Sequence, residues 1–449
     1  PMLETAALSA RTAAGASVPS MPGARNTSRL RDWVGLVRRT SVLNTVGTHF
    51  GTFGLMAIQG MLLARVLGPQ GRGEYAAAIF FAQTLTYIGL CGTGFSIARR
   101  ANQKLADAFP LVRSSFRAGG ITGIATMLVV ALISVVALPP DKYHLIPLCL
   151  LCSLAMPWEH IRLNLLAVDH GRADFSRYNW NLLLTASVLP VSLVLLWIVG
   201  GGSTTLVACL WVLVPIIGLA MRMTSGGLQN VFGKVAPAPR KLIKEGTPYL
   251  FSVAASDLSD RVDIFLFMWV ASAADLGLYA VATVATSVLI VAPSALALFA
   301  FNFGARNDAT LSAKSLAGAI AGVLAIQAVT ALAFLAILKP AILLVFGSEF
   351  ALAVPLAVAL LPARAFDGCA RVADGYLRGR SMPSVGIWAR GIGAIVMAIG
   401  VFALYSTWQE LSIPIAASGG HLVSAVIVAS MATMDVRKNR IVAKGGRDR

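Results

Sequence analysis

The sequence predicts an all-α, polytopic membrane protein of about twelve transmembrane helices. The 449-residue chain is 57% hydrophobic and only 13% charged, and its mean hydropathy is +0.75. Apolar segments of roughly 18 to 25 residues recur along it, each long enough to cross a hydrocarbon core of about 30 Å as a helix. Segments such as 121–138 and 182–199 are apolar on every face, whereas the strands of a membrane barrel alternate. Helices therefore cross the bilayer.

These apolar segments place the helices in chain order. Six are predicted in the first half, near 43–64, 75–97, 114–138, 145–168, 178–200 and 204–222. Six are predicted in the second half, near 247–271, 277–301, 314–337, 341–362, 384–405 and 412–433. The resulting domains are a basic, disordered N-terminal arm (1–40), an N-lobe (41–222), a cytoplasmic linker (223–246), a C-lobe (247–434) and a basic tail (435–449).

The basic residues indicate how the chain is oriented. The net charge is +17, from 37 Lys and Arg against 20 Asp and Glu. About 32 of the basic residues fall in alternate loops and at the two ends, which the positive-inside rule predicts for a chain with both termini in the cytoplasm. We therefore expect a multi-pass protein of the bacterial cytoplasmic (inner) membrane and no nucleic-acid partner. No cleavable signal peptide precedes the first apolar segment, so we expect that segment to remain as a helix.

Two short sequence motifs recur in the second half of the chain and indicate that the halves arose by duplication. Residues 73–78 (GEYAAA) recur 204 residues later as residues 277–282 (GLYAVA). A Gly-Arg pair at 171–172 recurs at 379–380, 208 residues later. Since each half has an even number of crossings, the two lobes are predicted to be related by a pseudo-two-fold axis along the membrane normal. Repeats of this kind place the substrate site between the halves.

The seventh predicted helix carries ionisable residues at bilayer depth. An unpaired charge there costs about 3 kcal/mol or more, so each charged side chain needs a partner or water. At about 100° per residue, Asp257, Asp260 and Arg261 share one helix face, and Asp263 lies at its edge. We expect this face to avoid lipid.

Two further helices carry charged stripes. The tenth helix and its cytoplasmic continuation contain Arg364, Asp367, Arg371, Asp374 and Arg378. The fourth contains Glu159, Arg162 and Asp169. Both stripes follow the helical repeat, and two interpretations stay open. The charges either pair with one another as a structural network or solvated helix end, or they line a cavity that holds a ligand.

Polar residues also interrupt the first helix, among them Asn44, His49 and Gln59. Together with Asn164 of the fourth helix, the amides are candidates for hydrogen bonds to a hydroxyl-rich ligand, although neighbouring helices would satisfy them equally. His49 is a further candidate for substrate binding, and it is otherwise predicted to be either a hydrogen-bonded core histidine or a proton carrier.

Arginine points to a phosphate-bearing ligand, because its planar guanidinium matches phosphate oxygens in bidentate fashion. Arg261 is the first candidate for this contact, with Arg162, Arg364 and Arg371 as further candidates. The acidic neighbours are predicted either to position these arginines or to bind a coupling cation, H⁺ or Na⁺; they are Asp257, Asp260, Asp263, Glu159, Asp367 and Asp374. We expect no other cofactor and no metal, since the five cysteines lie in or beside apolar segments.

The chain resembles the Wzx-like polysaccharide repeat-unit flippases of the multidrug, oligosaccharidyl-lipid and polysaccharide (MOP) exporter superfamily over most of residues 40–435. The resemblance rests on residues 63–69 (LARVLGP), 73–75 (GEY), 166–179, 259–263 (SDRVD), 276–282 (LGLYAVA) and 346–350 (FGSEF). Twelve helices match the repeat-unit flippases and the drug exporters of this superfamily, whereas lipid II flippases commonly have two more.

The resemblance implies a substrate and a mechanism. The substrate is an oligosaccharide on a polyprenyl pyrophosphate, moved from the inner to the outer leaflet by a monomer whose two lobes alternate in access. Arg261 and its neighbours would receive the pyrophosphate, the sugars would stay in water, and the lipid tail would stay in the bilayer, since burying sugar hydroxyls in hydrocarbon costs several kcal/mol each. A polysaccharide polymerase or export machinery is the implied downstream partner.

Two other functions stay open. A cation-coupled multidrug exporter of the same fold would suit the aspartates, but Arg261 would repel a cationic drug. A membrane glycosyltransferase or polymerase would act on the same lipid. Such enzymes usually place catalytic acids on a large outward loop, and outward segments such as 200–204 and 406–411 are short.

Overall fold

The computed structural model describes residues 40–102, 108–224, 233, 235–306 and 313–445. The predicted N-terminal arm and parts of the linker and tail lie outside these ranges. Within them the chain is all-α, which confirms the predicted fold class. The first half contains α1 (Thr40–Gly89), α2 (Thr93–Asn102), α3 (Ala108–Ala137), α4 (Ile146–Ser153), α5 (Met156–Gly171), α6 (Phe175–Val199) and α7 (Thr204–Thr224).

The second half begins with a helix that is interrupted near its centre. Its elements are α8 (Pro239–Ser259), α9 (Val262–Val270), α10 (Ala273–Thr286), α11 (Val288–Arg306), α12 (Ala313–Val345), α13 (Ala353–Gly379), α14 (Pro383–Trp408) and α15 (Ser412–Gly445).

The described helices group into twelve membrane-spanning segments, the number predicted. Eight helical stretches are long and apolar enough to cross a bilayer, and α10 with α11, bent by 50°, makes a ninth. Two of the eight, 47–89 and 383–437, each contain two helices joined at a tight break, which raises the number to eleven. The interrupted pair α8 and α9 makes the twelfth.

The break inside α1 joins the first two predicted helices without a loop. Gly68 has a φ of 64° and a ψ of −178°, a conformation outside the helical range, and Pro69 follows it. Glycine adopts a positive φ at little cost, and proline suits the first turn of a new helix. The chain therefore turns at Gly68, whereas the sequence predicts a ten-residue connection between the two helices.

The predicted boundary between the ninth and tenth helices is wrong. We expected one helix to end near 337 and the next to begin near 341. Instead α12 continues through Pro340 to Val345, because membrane helices tolerate an internal proline, and α13 begins at Ala353. The charged stripe from Arg364 to Arg378 therefore lies inside the single helix α13.

The chain forms two compact units. Unit 1 contains residues up to Leu62, Phe81–Ala137 and His144–Phe251, whereas unit 2 contains Leu63–Phe80, Leu138–Tyr143 and everything from Ser252 onward. In unit 1, α5 packs against α2, α3 and α7. In unit 2, α13 is the central helix and packs against α10, α11, α12, α14 and α15. Helix α8 begins in unit 1 and ends in unit 2.

The start of α8 is fixed to α2 within unit 1. Ser96 Oγ donates to the Leu242 carbonyl at 2.8 Å, and Phe95 stacks on Tyr249 with ring centroids 4.9 Å apart. Arg100 Nε donates to Glu245 Oε2 at 2.8 Å. The N-terminal part of α8 is thus joined to α2 by hydrogen bonds and by ring stacking.

The two repeat-related glycines meet inside unit 2. A Cβ on Gly73 would overlap the carbonyl oxygen of Ala273, and a Cβ on Gly277 would overlap the carbonyl oxygen of Pro69. Under the 204-residue offset, Pro69 corresponds to Ala273 and Gly73 to Gly277. The two contacts are therefore copies of one another, as a pseudo-two-fold axis requires. Only a residue without Cβ permits this backbone approach.

We predict that Gly73→Ala and Gly277→Ala each destabilise the protein by about 1–3 kcal/mol, because overpacking forces the two backbones apart. The measurement is thermal unfolding of the detergent-purified protein. Gly322→Ala is the matched control, since a Cβ there meets nothing within 4 Å. Unchanged melting of both tested variants would rule out the close approach.

Candidate functional site

The ionisable residues of the predicted seventh helix lie at a break between α8 and α9. Helix α8 ends at Ser259 and α9 begins at Val262, so Asp260 and Arg261 are outside regular helix. The Arg261 amide donates to the Leu258 carbonyl three residues earlier, at 3.1 Å. The expected shared helical face of Asp257, Asp260 and Arg261 is therefore wrong, since the 100° repeat stops at the break. The side chain of Asp257 lies outside the described residues.

Asp260 joins two helices of unit 2 through their arginines. Arg371 Nη2, on α13, donates to both Asp260 carboxylate oxygens at 3.2 Å. Arg390 Nη1, on α14, donates to Asp260 Oδ1 at 3.0 Å. Two guanidiniums from separate helices thus converge on one carboxylate at the broken segment.

A second carboxylate holds Arg371 from its own helix. Arg371 Nε donates to Asp367 Oδ2 at 2.7 Å, one turn earlier on α13. His421 Nδ1, on α15, lies 4.0 Å from Asp367 Oδ1. We call Asp260, Asp367, Arg371, Arg390 and His421 the unit 2 cluster.

Exposure is graded across the unit 2 cluster. The side chain of Asp260 is 28% exposed and that of Arg371 is 20% exposed. The side chains of Arg390 and Asp367 are 9% and 3% exposed. The cluster is therefore most exposed at Asp260 and most buried at Asp367. This arrangement suits an anion that carries several oxygens, because the guanidiniums can be approached by a bidentate acceptor.

The other predicted site residues of unit 2 make contacts with residues outside the unit 2 cluster. Asp263 is buried and accepts hydrogen bonds from Tyr279 Oη at 2.7 Å and from the Ile264 amide at 2.8 Å. Arg364 Nε donates to Thr286 Oγ1 at 3.3 Å. Asp374 is buried and pairs with Arg378 within α13, while Arg261 is half-buried at the break. Two pairs within the α13 stripe, Asp367 with Arg371 and Asp374 with Arg378, match the interpretation in which the charges pair with one another, but their carboxylates are buried rather than solvated.

Sequence reasoning missed two members of the unit 2 cluster. Arg390 and His421 lie within apolar segments that we predicted as the eleventh and twelfth helices. An ionisable residue within such a segment was itself the available signal. Neither residue belongs to a charged stripe, so the search for charged stripes does not identify them.

In unit 1, the predicted binding residues of the fourth helix already make hydrogen bonds to neighbouring groups of the protein. Arg162 is buried, and it donates to both oxygens of Glu159 at 2.6 and 2.8 Å and to Asn181 Oδ1 at 3.3 Å. Asn164 is fully buried between Thr93 Oγ1, at 2.7 Å, and the Ser115 carbonyl, at 3.3 Å. These placements favour the alternative in which both residues join helices.

The three predicted binding residues on α1 differ in how exposed they are. Asn44 is exposed, Gln59 is half-buried and His49 is buried. The backbone carbonyl of His49 accepts a hydrogen bond from Thr52 Oγ1 at 2.8 Å. All three lie in the part of α1 that belongs to unit 1.

An ion pair links equivalent helices in both repeats, and it is buried in unit 1 and half-buried in unit 2. In unit 1, Arg222 of α7 donates to Asp169 of α5, with Nη2 to Oδ1 at 2.6 Å. In unit 2, Arg380, just after α13, donates from Nε to Asp435 of α15 at 2.7 Å. The sign of each partner is reversed between the repeats. The duplicated architecture therefore keeps the bridge while the sequences have diverged.

Possible metal ligands are scattered in the described ranges. No group of three His, Cys, Asp or Glu residues there is close enough to hold a metal ion. The unit 2 cluster combines two arginines with two aspartates, a donor set that suits an anion.

We predict that Asp169→Asn destabilises the protein by about 3–5 kcal/mol, because Arg222 is left with an uncompensated buried charge. The matched control is Asp174→Asn, which removes an exposed pair with Arg177 and should cost less than about 1 kcal/mol, since asparagine also caps a helix. The measurement is the thermal midpoint and monodispersity in detergent. Equal melting of the two variants would contradict a structural role for Asp169.

Comparisons with known proteins agree with this architecture. The polysaccharide biosynthesis protein family matches residues 37–300. Among solved structures, the chain is similar to a multidrug resistance MATE family transporter of the MOP superfamily in an inward-facing conformation. The TM-score is 0.71 and the identity 12%, over 86% of this chain and 95% of that one. No curated protein matches the chain.

Two other solved structures share the fold. The inward closed conformation of the lipid II flippase MurJ aligns with a TM-score of 0.69 and 12% identity, over 89% of this chain and 90% of that one. The eukaryotic MATE transporter AtDTX14 aligns with a TM-score of 0.56 and 13% identity, over 89% and 99%. The resemblance inferred from sequence motifs is confirmed at the level of fold. Because the family match covers more than half of its residues, this multi-pass membrane protein belongs to the polysaccharide biosynthesis protein family.

Proposed function

We propose that the protein is a flippase for a polyprenyl-pyrophosphate-linked oligosaccharide. It acts as a monomer in the bacterial cytoplasmic membrane, with both termini in the cytoplasm. It moves the repeat unit from the inner to the outer leaflet by alternating access, and a polysaccharide polymerase or export machinery takes the product for exopolysaccharide, O-antigen or capsule. The family match and the MOP-type fold support the coarse assignment.

The unit 2 cluster is the single observation that carries the substrate class. Its two arginines come from different helices and converge at a helix break. Broken membrane helices commonly form substrate sites, since irregular backbone there lines polar space. A pyrophosphate presents several anionic oxygens, which Arg371 and Arg390 can bind. Two further arginines add positive charge, because Arg261 directly follows Asp260 in the chain and Arg364 precedes Arg371 by two turns of α13.

The rest of the substrate has different needs. Sugar hydroxyls lose several kcal/mol each if they enter hydrocarbon without partners, so the oligosaccharide needs a hydrated path. The polyprenyl tail is apolar and is accommodated by the lipid itself. The protein therefore has to recognise mainly the pyrophosphate that joins the oligosaccharide to the tail. Coupling of transport to H⁺ or Na⁺ through Asp260, Asp367 or Asp374 is also part of the proposal.

The cation-coupled drug exporter is the alternative with the same fold. An organic cation would need a carboxylate that is free of its own counter-ion. Asp260 and Asp367 are both engaged by guanidiniums in unit 2, so binding of the cation at either of these two carboxylates would require those arginines to leave. A membrane glycosyltransferase or polymerase would instead lengthen the sugar chain.

We predict that the full chain, reconstituted in vesicles, changes the sidedness of a fluorescent polyprenyl-pyrophosphate oligosaccharide. Access of a membrane-impermeant reagent to the sugar measures this change. The same vesicles are tested for uptake of an organic cation and for longer sugar products. Cation transport without lipid movement would establish the drug exporter, and longer products would establish the polymerase.

We predict that Arg371→Lys and Arg390→Lys each slow translocation by about tenfold, because lysine keeps the charge but loses the bidentate fork. Arg437→Lys, the same change at an exposed position, is the matched control and should keep the wild-type rate. Unchanged rates in both cluster variants would remove the cluster from substrate binding.

For Arg261→Ala, we expect normal expression and membrane insertion with reduced polysaccharide export, because a headgroup contact is lost and the fold is kept. The measurement compares the amount of folded protein with the exported polymer in cells. A parallel loss of folded protein would assign Arg261 to the structural network.

A further inference from the structure

The unit 2 cluster is electrically balanced as it stands. Arg371 and Arg390 carry two positive charges, and Asp260 and Asp367 carry two negative ones. A neutral cluster gives little net attraction to a multiply charged anion, and the guanidinium donors that face Asp260 are already occupied. An anion can use those donors only if one carboxylate gives them up.

The two carboxylates are unequal in how firmly they hold Arg371. Asp367 accepts from Nε at 2.7 Å and is buried. Asp260 accepts from Nη2 at 3.2 Å and from Arg390 at 3.0 Å, which is longer than the 2.7–2.9 Å typical of charge-assisted bonds. Asp260 is also the most exposed of the four charged members of the cluster.

Asp260 lies on irregular backbone. It occupies the non-helical break between α8 and α9, whereas Asp367 lies within the long helix α13. A change of rotamer can withdraw the Asp260 carboxylate from the guanidiniums without moving a helix, because its backbone lies outside the regular helices. Length, exposure and backbone position therefore all distinguish Asp260 from Asp367.

We propose that Asp260 is an internal substitute for the phosphate of the substrate. In the ligand-free protein it holds Arg371 and Arg390, and it releases them when a diphosphate binds. The inference deepens the proposed function and rests on it for the identity of the diphosphate as that of a lipid-linked sugar. The exchange leaves neither arginine unpaired in either state, so it avoids the large cost of an uncompensated buried guanidinium. Return of Asp260 to the arginines would then help to expel the headgroup after translocation.

The proposal is tested with inorganic pyrophosphate and the full chain in detergent, by titration calorimetry. If the Asp260-bound arrangement occupies about 90% of the ligand-free protein, Asp260→Asn should bind pyrophosphate about tenfold more tightly, because the internal competitor is gone. Asp260→Glu, which keeps a carboxylate, should bind within about threefold of the wild-type. In vesicles, Asp260→Asn should translocate the lipid-linked sugar more slowly, since release is impaired.

Asp367→Asn is the matched control, with the same change of charge next to the same arginine. It should give no comparable gain in affinity, because Arg371 loses the bond that orients it. Equal gains for Asp260→Asn and Asp367→Asn would mean that only net charge matters and would overturn the exchange. Unchanged or weaker binding by Asp260→Asn would overturn it as well.

Carbodiimide labelling of the wild-type protein covers the case in which Asp260→Asn fails to fold. Pyrophosphate should increase modification of Asp260 and leave Asp367 unchanged, as measured by mass spectrometry. Decreased or constant labelling of Asp260 would refute the exchange. If labelling and affinity follow the prediction with pyrophosphate but the vesicles move no lipid-linked sugar, the anion site stands and the flippase proposal fails. If the vesicles move the lipid while Asp260 shows no exchange, only this inference fails.

Discussion

Charged side chains within membrane-spanning helices need partners, and this requirement organises both units of the protein. A lone guanidinium or carboxylate at bilayer depth costs several kcal/mol, so helices that carry such groups must pair them. In unit 1, Arg162 pairs with Glu159 along α5, and Arg222 of α7 pairs with Asp169 of α5. In unit 2, the same requirement brings α13 and α14 to the break between α8 and α9.

The two units meet this requirement with opposite consequences. In unit 1, the arginine side chains are buried and their donors are directed at carboxylates or at an amide, so the charges stabilise contacts between helices. In unit 2, one carboxylate is buried and fixed while the other is exposed, lies on irregular backbone and makes longer bonds. An ion pair at an exposed, irregular segment can exchange with a ligand, whereas a tight buried pair within regular helices cannot do so without a large cost. The duplicated scaffold thus combines a structural half with a half suited to binding an anion.

The internal repeat supplies the scaffold on which this difference rests. Gly73 and Gly277 approach one another's helices through equivalent backbone contacts, which fixes the start of two related helices within unit 2. The bridges Asp169 to Arg222 and Arg380 to Asp435 join equivalent helices with reversed signs. The repeat thus keeps similar backbone contacts in its two copies while the charges on them differ.

The sequence alone determined the fold class, the twelve segments, the duplication and the family resemblance, because hydrophobic length and repeated motifs are local properties of the chain. It also identified Asp260, Asp367 and Arg371 as charges that need partners. Only the tertiary structure decided which partners they have, since Arg390 and His421 reach the cluster from helices more than a hundred residues away from Asp260. The break after Ser259 also escaped the sequence analysis, because helical periodicity assumes a continuous helix. Pairing between distant helices and interruption of a helix both depend on packing, which a residue pattern does not encode.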